Sequence, residues 1–222
     1  MLDTRGIAVA SEDVVLSNLE VGEQDRIRCK EIKRVPTGSL FIYDGSKLSV
    51  YELDSRPEFE CGFEYVYFSS YGRKGITDTR KALGRQLWKE SPIEADIVVP
   101  VPDSGKIHAE GFSEASGIPL VEGGLTRNRY KGQRSFIQPS DELWKKTIKR
   151  KMTATREMEK KKVVLIDDSI VRGNTISLVV DDVKKVNPEE IHIRICSPSV
   201  SFPCFLGIDM QEIDKFWYMQ IA

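Results

Sequence analysis

The sequence predicts an α/β protein in which helices flank a parallel sheet, with a small N-terminal β appendage. Three observations support this fold class. From residue 59 onward, short apolar segments alternate with amphipathic segments, which is the pattern of repeated strand–helix units. The apolar segments contain few polar residues, as expected of strands buried on both faces. At 222 residues, the chain is long enough to bury one core and to carry an appendage.

The N-terminal segment is predicted to be β-rich but too small for a complete domain. Ile27–Val35 and Ser39–Tyr43 have the composition of short strands. Asp44 and Gly45 follow the second of them and are a strong signal for a hairpin turn. We therefore divide the chain into a β-rich part, residues 1–58, and a main domain, residues 59–222.

The main domain is predicted to alternate strands with helices. The predicted strands are Phe63–Phe68, Asp96–Val101, Ile118–Val121, Val163–Asp167 and Ile191–Cys196. The predicted helices are Thr77–Glu90, Lys106–Ser116 and Thr175–Lys185, each with apolar residues at helical spacing. Residues 123–140 are interpreted as a long loop of the kind that often carries function. The basic stretch Lys145–Lys162 is interpreted as a solvated helix face.

Composition excludes several classes of function. Lys and Arg number 33 and Asp and Glu 34, so net charge gives no support for nucleic-acid binding. No apolar stretch approaches the roughly 20 residues that a membrane span needs. The first residues lack the basic and then apolar layout of a signal peptide. We therefore expect a cytoplasmic protein that binds neither nucleic acid nor membrane.

The cysteines and histidines do not predict a metal site. The four cysteines are dispersed and form no Cys-x-x-Cys pair, so small core residues are the favoured interpretation. His108 and His192 are isolated in sequence and are interpreted as structural.

The strongest chemical signal follows the predicted strand at residues 163–167. That strand ends in two adjacent carboxylates, Asp167 and Asp168, and a short loop with Gly173 leads into a helix. Backbone N–H groups of such a loop form an anion site, to which Ser169 and Thr175 can add hydroxyl donors. Carboxylates at a phosphate site need another ligand, and sugar hydroxyls with a magnesium ion are the natural candidates. The pattern indicates a ribose 5-phosphate; the alternative is a helix cap beside two solvated acids.

This segment, VVLIDDSIVRGNTI, resembles the signature of phosphoribosyltransferases, and DDSIVRG is close to its form in amidophosphoribosyltransferases, which start purine synthesis. Further segments resemble the same family in the same order: FEYVYF (63–68), VVPVPDSG (98–105), GGLTRNRY (123–130) and PCFLGID (203–209). The resemblance implies a type I phosphoribosyltransferase fold over roughly residues 59–210.

The resemblance also implies roles for individual residues. Asp167 and Asp168 would bind the ribose hydroxyls and magnesium, with Ser104 close to the same metal ion. The residues implied to bind the 5-phosphate are Ser169, Ile170, Val171, Arg172, Gly173, Asn174 and Thr175. Those implied to bind the diphosphate are Asp103, Ser104 and Gly105. Those implied to be catalytic, in a cationic loop over the leaving group, are Arg127, Asn128, Arg129 and Tyr130.

Two features of the family have no counterpart in this sequence. Complete members carry an N-terminal glutaminase domain with a nucleophilic cysteine as the first residue after processing. Here the second residue is Leu2 and no cysteine precedes Cys29, so residues 1–58 resemble only the end of that domain. Cys61 and Cys204 match two of the four ligands of the iron–sulfur cluster in some members. We expect no cluster, and the two cysteines could still lie close together, free or as a disulfide.

The sequence thus predicts a glycosyltransferase that transfers an amino group from ammonia to C1 of phosphoribosyl diphosphate, with Mg²⁺ as cofactor. The products would be phosphoribosylamine and pyrophosphate. Three alternatives stay open: transfer to a nucleobase, a non-catalytic module that binds phosphoribosyl diphosphate, and a synthase that depends on a separate glutaminase subunit. A homo-oligomer is expected.

Overall fold

The computed structural model describes residues 7–17, 32–54, 59–127, 152–200, 202 and 204. The chain divides into two units, residues 1–76 and residues 77–222. The first unit contains α1 (Asp13–Ser17), β1 (Ser39–Tyr43), β2 (Leu48–Glu52) and a π-helix (Glu64–Phe68). Helix α2 (Ile76–Glu90) begins at the boundary. The second unit continues with β3 (Ile97–Pro100), α3 (Lys106–Ser116), a 3₁₀ turn (Glu122–Gly124), β4 (Leu125–Arg127), β5 (Met152–Ala154), a 3₁₀ turn (Arg156–Met158), β6 (Lys162–Asp167), α4 (Asn174–Lys184) and β7 (Glu190–Ile195).

The predicted hairpin in the first unit is confirmed. Strands β1 and β2 pair antiparallel, with Tyr43 opposite Leu48. The Asp44 side chain accepts hydrogen bonds from the backbone N–H groups of Ser46 (2.8 Å) and Lys47 (2.7 Å). These bonds also lower the pKa of Asp44, and they form the kind of turn that aspartate favours. Of the other predicted strand, residues 27–31 lie outside the described residues, and residues 32–35 are not in a strand.

The predicted strand Phe63–Phe68 is wrong, because this segment forms a π-helix. The Ser69 N–H donates to the carbonyl of Glu64 (3.0 Å), and the Val66 N–H donates to that of Gly62 (3.3 Å). The rings of Phe63 and Phe68 lie 6.1 Å apart, since the wider turn brings residues five apart onto one face. Local hydrogen bonds and this aromatic contact therefore override the β propensity of the side chains.

A three-stranded parallel sheet forms the centre of the second unit, as the alternation of strands and helices predicted. Its order is β3–β6–β7, so β6 lies between the other two. Leu120 adds a single parallel bridge beside Val98. The predicted strand Ile118–Val121 is thus reduced to that bridge.

Both faces of this sheet are covered. On one face, Val99, Val163 and Leu165 pack with Val179 and Val183 of α4, and all five side chains are buried. Because alternate side chains of a strand point to opposite faces, the neighbouring residues form a second core on the other side.

The second core joins Val98, Val164 and Ile166 to Ala109 and Phe112 of α3. Helix α2 packs beside α3, where the rings of Trp88 and Phe112 meet edge to face at 5.5 Å. The backbones of these two helices approach closely at Gly84 and Gly111. A methyl carbon at Gly84 would lie 2.0 Å from the carbonyl oxygen of His108.

The predicted helix over the basic stretch Lys145–Lys162 is wrong for residues 152–162, which contain β5 and the short 3₁₀ turn Arg156–Met158 but no α-helix. Residues 145–151 lie outside the described residues, and the next three form β5, which pairs antiparallel with β4. Arg127 lies opposite Met152 in this pairing, so β4 and β5 make a two-stranded stem. None of the described helices is long and apolar enough to cross a membrane.

Candidate functional site

The site lies where β3 and β6 end side by side. Their parallel register places Pro100 opposite Ile166. The Val101 N–H then donates to the Ile166 carbonyl at 2.8 Å, which extends the pairing beyond β3. The loops that follow the two strands therefore begin next to each other, at the sheet edge where α/β proteins bind ligands.

The loop after β3 is held tightly against the end of β6. A methyl carbon at Gly105 would lie 2.3 Å from the Ile166 carbonyl oxygen and 2.9 Å from that of Val101, so only glycine fits there. The peptide bond between Pro102 and Asp103 is cis. The Ser104 hydroxyl donates to Asp167 Oδ1 at 3.3 Å. The structure thus brings together three residues that the sequence analysis assigned to two separate motifs: Ser104, Gly105 and Asp167.

The two carboxylates at the end of β6 are buried. Asp167 is 6% exposed and Asp168 is 5% exposed. Asp167 Oδ1 also accepts the N–H of Asp168 (3.0 Å), while Asp168 Oδ2 accepts the hydroxyl of Ser169 (3.1 Å). Burial, and then the neighbouring charge of Asp168, raise the pKa of Asp167 well above its usual value. Buried adjacent carboxylates of this kind are stabilised by sharing a proton or by binding a cation.

The two residues that follow β7 fix the backbone of both carboxylates. The N–H of Cys196 donates to the carbonyl of Asp167 (3.1 Å), and that of Ser197 donates to the carbonyl of Asp168 (2.8 Å). Burial, with the charges of Asp168 and Asp167, raises the pKa of the Cys196 thiol to about 12. The thiol therefore stays protonated and offers no thiolate beside the carboxylates.

The second loop runs from Ser169 into α4. Gly173 is buried and adopts φ 73°, a left-handed conformation that favours glycine, and α4 begins at the next residue. Its carbonyl accepts both the N–H (3.0 Å) and the hydroxyl (2.9 Å) of Ser177. Ile170 packs against the core, whereas Arg172, Asn174 and Thr175 are exposed. The first turn of an 11-residue helix thus faces an open loop, which suits it to an anion.

Of the predicted cationic loop, the structure describes the first residue. Arg127 ends β4, and its Nη1 donates to Asp103 Oδ2 at 2.6 Å, so it touches the loop after β3. Asn128, Arg129 and Tyr130 lie outside the described residues.

Residues 59–196 match the model of the phosphoribosyl transferase domain. The chain belongs to the phosphoribosyltransferase family. Its parallel sheet with flanking helices is the type I phosphoribosyltransferase fold, as the sequence predicted.

The curated relatives confirm the resemblance to amidophosphoribosyltransferases. This phosphoribosyltransferase is 43% identical over 209 residues to the amidophosphoribosyltransferase of Rhizobium etli, covering 89% of this chain and 42% of that protein. It is 39% identical over 221 residues to that of Methanocaldococcus jannaschii, covering 94% of this chain and 46% of the relative. The chain thus spans less than half the length of these relatives.

Solved structures agree with these relatives. The glutamine phosphoribosylpyrophosphate amidotransferase of Bacillus subtilis, solved with ADP and GMP, superposes with a TM-score of 0.68 at 37% identity. That match covers 85% of this phosphoribosyltransferase and 42% of the other chain. The allosteric regulatory enzyme of purine biosynthesis gives a TM-score of 0.67, also at 37% identity, over 83% of this chain and 41% of that one.

The oxygen atoms at the end of β6 suit a hard cation. Within the described part of this phosphoribosyltransferase, no group of three or more His, Cys, Asp and Glu side chains is arranged to hold a metal ion. Asp167 and Asp168 do provide two carboxylates, with the Ser104 hydroxyl within 3.3 Å of one of them. Mg²⁺ is usually held by one or two carboxylates together with phosphate oxygens of a substrate. The residues present therefore fit a magnesium ion that arrives with a diphosphate.

Sequence reasoning missed one contact of this site. His108 is fully buried, and its Nδ1 lies 3.2 Å from the carbonyl oxygen of Ser104. Burial lowers its pKa, so the imidazole is neutral. The spacing of four residues between Ser104 and His108 would have indicated the contact, had the helix been known to begin directly after the loop.

Proposed function

We propose that this chain transfers the amino group of ammonia to C1 of phosphoribosyl diphosphate, which is the first step of purine synthesis. The observation that carries the proposal is the meeting of the two strand-end loops, with Ser104 hydrogen-bonded to Asp167 across them. One loop suits a 5-phosphate, the other a diphosphate, and the carboxylates between them suit a ribose. The relatives are named amidophosphoribosyltransferases, which supports transfer of an amino group to the ribose.

In this proposal the two loops hold opposite ends of the substrate. The 5-phosphate accepts hydrogen bonds from backbone N–H groups of residues 169–175, helped by the first turn of α4. The diphosphate lies on the loop formed by Asp103, Ser104 and Gly105. Asp167 and Asp168 accept hydrogen bonds from the ribose hydroxyls. Magnesium, when bound there, would neutralise the charge of the diphosphate.

The reaction is a substitution at C1 of the ribose. The lone pair of ammonia forms the C1–N bond while the bond from C1 to the diphosphate oxygen breaks, and the new ammonium group loses one proton to water. Positive charge develops on the ribose ring as the leaving group departs. In this proposal, the negative charges of Asp167 and Asp168 stabilise that positive charge, and the two loops hold the reacting atoms in place.

Arg127 is proposed to stabilise the leaving group. Its guanidinium contacts Asp103 and is 42% exposed, so it can exchange this carboxylate for a diphosphate oxygen without unfolding anything around it. Asn128, Arg129 and Tyr130 are proposed to act with it.

A separate glutaminase subunit is proposed as the source of ammonia in the cell, in the cytoplasm. The β1–β2 hairpin supports such a partner, because it exposes large apolar side chains on both faces. Leu40, Ile42 and Tyr51 lie on one face, while Phe41, Tyr43 and Val50 lie on the other. Contiguous apolar surface of this kind usually marks an interaction site.

The test is pyrophosphate release from phosphoribosyl diphosphate and Mg²⁺, with ammonium chloride, with glutamine, or with neither. We expect release with ammonium and none above background with glutamine. Asp167→Asn serves as the inactive control. Release that requires a nucleobase instead of ammonium would establish the salvage alternative. Tight binding of phosphoribosyl diphosphate with no release under any condition would establish the non-catalytic module.

A further inference from the structure

His108 is a buried ionisable residue that has no role in the proposed reaction. It lies in the first turns of α3, with no exposed surface, directly behind the loop that carries Ser104. Its Nδ1 lies 3.2 Å from the Ser104 carbonyl oxygen. Since a carbonyl only accepts, the ring must carry its hydrogen on Nδ1 and donate it to Ser104.

The other ring nitrogen gives a reason to regard this bond as functional. His108 Nε2 is buried and, in the described part of the chain, has no hydrogen-bond partner. Burying an unpaired ring nitrogen is unfavourable, and a phenylalanine of similar shape would avoid that cost. The hydrogen bond from Nδ1 to the Ser104 carbonyl is therefore the contact that favours a histidine at this position.

Helix α2 prevents His108 from moving away from the loop. Gly84 packs against the carbonyl of His108, where even a methyl group would come within 2.0 Å. On the other side, Ser104 is followed by Gly105, which is pressed against the carbonyl of Ile166. Close packing thus fixes the backbone of His108 on one side and of Gly105 on the other. The hydrogen bond between His108 and the Ser104 carbonyl then sets the position of Ser104.

We propose that His108 is a positioning residue for the diphosphate loop. It fixes the carbonyl of Ser104, and thereby directs the Ser104 hydroxyl towards Asp167. This proposal rests on the proposed function, in that the loop after β3 receives the diphosphate of phosphoribosyl diphosphate. It is specific to one end of the substrate, because the hydrogen bond of His108 goes to the loop after β3.

Two substitutions separate the hydrogen bond from the volume of the ring. His108→Phe keeps a ring and removes the donor. His108→Asn removes the ring and keeps an N–H donor at the place of Nδ1. His192→Phe is the matched control, since His192 lies on β7 and pairs with Glu190 away from the loop.

The measurement is calorimetric binding of two ligands, phosphoribosyl diphosphate with Mg²⁺ and ribose 5-phosphate. In His108→Phe we expect roughly tenfold weaker binding of phosphoribosyl diphosphate, from the loss of one buried hydrogen bond and the loop order it provides. Binding of ribose 5-phosphate should stay within about twofold, because that ligand uses the loop after β6. His108→Asn should recover most of the loss, and His192→Phe should match the wild type. Where the enzyme turns over, the loss should appear in KM more than in kcat.

Several results would overturn the positioning role. Unchanged binding of phosphoribosyl diphosphate in His108→Phe would do so, as would an equal loss for both ligands, which indicates a merely structural residue. Failure of His108→Asn to recover binding while its melting temperature matches that of the wild type would also count against it. A wild type that binds phosphoribosyl diphosphate but releases no pyrophosphate with ammonium refutes the proposed function alone, and the binding comparison still decides the role of His108. A wild type that binds neither ligand refutes both.

Discussion

At the scale of single residues, the carboxylate pair at the end of β6 acts against the stability of the fold that carries it. Asp167 and Asp168 are adjacent in sequence and almost fully buried. Their mutual repulsion and lost hydration raise the pKa of Asp167. The proposed binding of a cation and a sugar would need this arrangement, at the expense of a lower free energy of unfolding.

Asp167→Asn should therefore gain stability while it loses activity. The amide is neutral, so the repulsion disappears, and we expect the melting temperature to rise by about 2–4 °C without Mg²⁺. Pyrophosphate release should fall at least about 100-fold, because the negative charge beside the ribose is lost. Calorimetric melting and the release assay measure the two effects. A variant that is less stable than the wild type would contradict the electrostatic account.

The same pair sets a pH dependence of stability. Since the pKa of Asp167 is higher in the folded than in the unfolded chain, the folded state binds more protons between the ordinary value of 3.8 and the raised one. Its contribution to stability therefore falls as pH rises through that window. Urea unfolding at about pH 5 and about pH 8 should show the wild type losing more stability than Asp167→Asn. Equal losses of stability in the wild type and in Asp167→Asn would contradict the raised pKa of Asp167 as the cause.

Gly105 shows how close packing, rather than charge, shapes the loop after β3. Gly105→Ala places a methyl group against two carbonyl oxygens, so we expect about 1–3 kcal/mol of destabilisation and weaker binding of phosphoribosyl diphosphate. Gly62→Ala is the matched control. Apart from Gly62 itself and its chain neighbours, no atom of the described residues lies within 4 Å of that methyl position, so the unfolding free energy should change little. Urea titration of both variants tests the difference, and equal effects would refute the steric argument.

At the scale of elements, the sequence predicted those helices and strands whose bounds are determined by local sequence patterns. Helix Lys106–Ser116 was predicted at its observed bounds, since Gly117 ends it in the left-handed conformation that favours glycine. The strand at Val163–Asp167 was predicted within one residue. The segment Phe63–Phe68 was wrongly predicted as a strand. Its π-helix depends on hydrogen bonds between residues five apart and on ring contacts, which β propensity does not take into account. The helix predicted at Lys145–Lys162 failed because Met152–Ala154 pairs with a distant strand.

The same distinction applies to the site. Asp167 and Asp168 were predicted to bind a ligand because they stand at the end of an apolar strand, and ligand sites of α/β proteins lie at such ends. The contact of Ser104 with Asp167 follows from the pairing of β3 with β6. The two sequence motifs that contain these residues do not by themselves establish that pairing. His108 was interpreted as structural, since a lone histidine on a helix gives no signal until the loop before that helix is in place.

The ion pair between β4 and the loop after β3 leads to a further expectation. Arg127 and Asp103 are both about half exposed, so their pairing adds little to stability. Arg127→Gln should leave the melting temperature within about 1 °C and raise the KM for phosphoribosyl diphosphate about tenfold.

Arg85→Gln is the control for that variant, because Arg85 forms a comparable exposed ion pair with Glu114 on the surface of α2 and α3. Its KM should equal that of the wild type. An equal rise in KM for both arginine variants would indicate a general loss of positive charge, not a contact made by Arg127.

At the scale of the whole molecule, the apolar hairpin predicts association. Its exposed side chains include Ile42 and Tyr51, each about half exposed, on one face. We expect the sedimentation coefficient to rise with protein concentration. The double substitution of Ile42→Thr with Tyr51→Thr should reduce that rise, because it removes apolar area while keeping β-compatible residues. Ammonia-dependent release should persist. A sedimentation coefficient that does not depend on concentration in the wild type would contradict this expectation.

The stem formed by β4 and β5 has a consequence for how such a protein can change. Arg127 and Met152 are paired neighbours, so the two positions that flank residues 128–151 lie side by side. The free-energy cost of closing a chain segment grows slowly with its length, by about 0.6 kcal/mol for each doubling. Insertions or deletions among residues 131–151, beyond the proposed catalytic residues 128–130, should therefore cost the pairing of β4 with β5 little free energy. Such changes of length would leave the loops after β3 and β6 as they are.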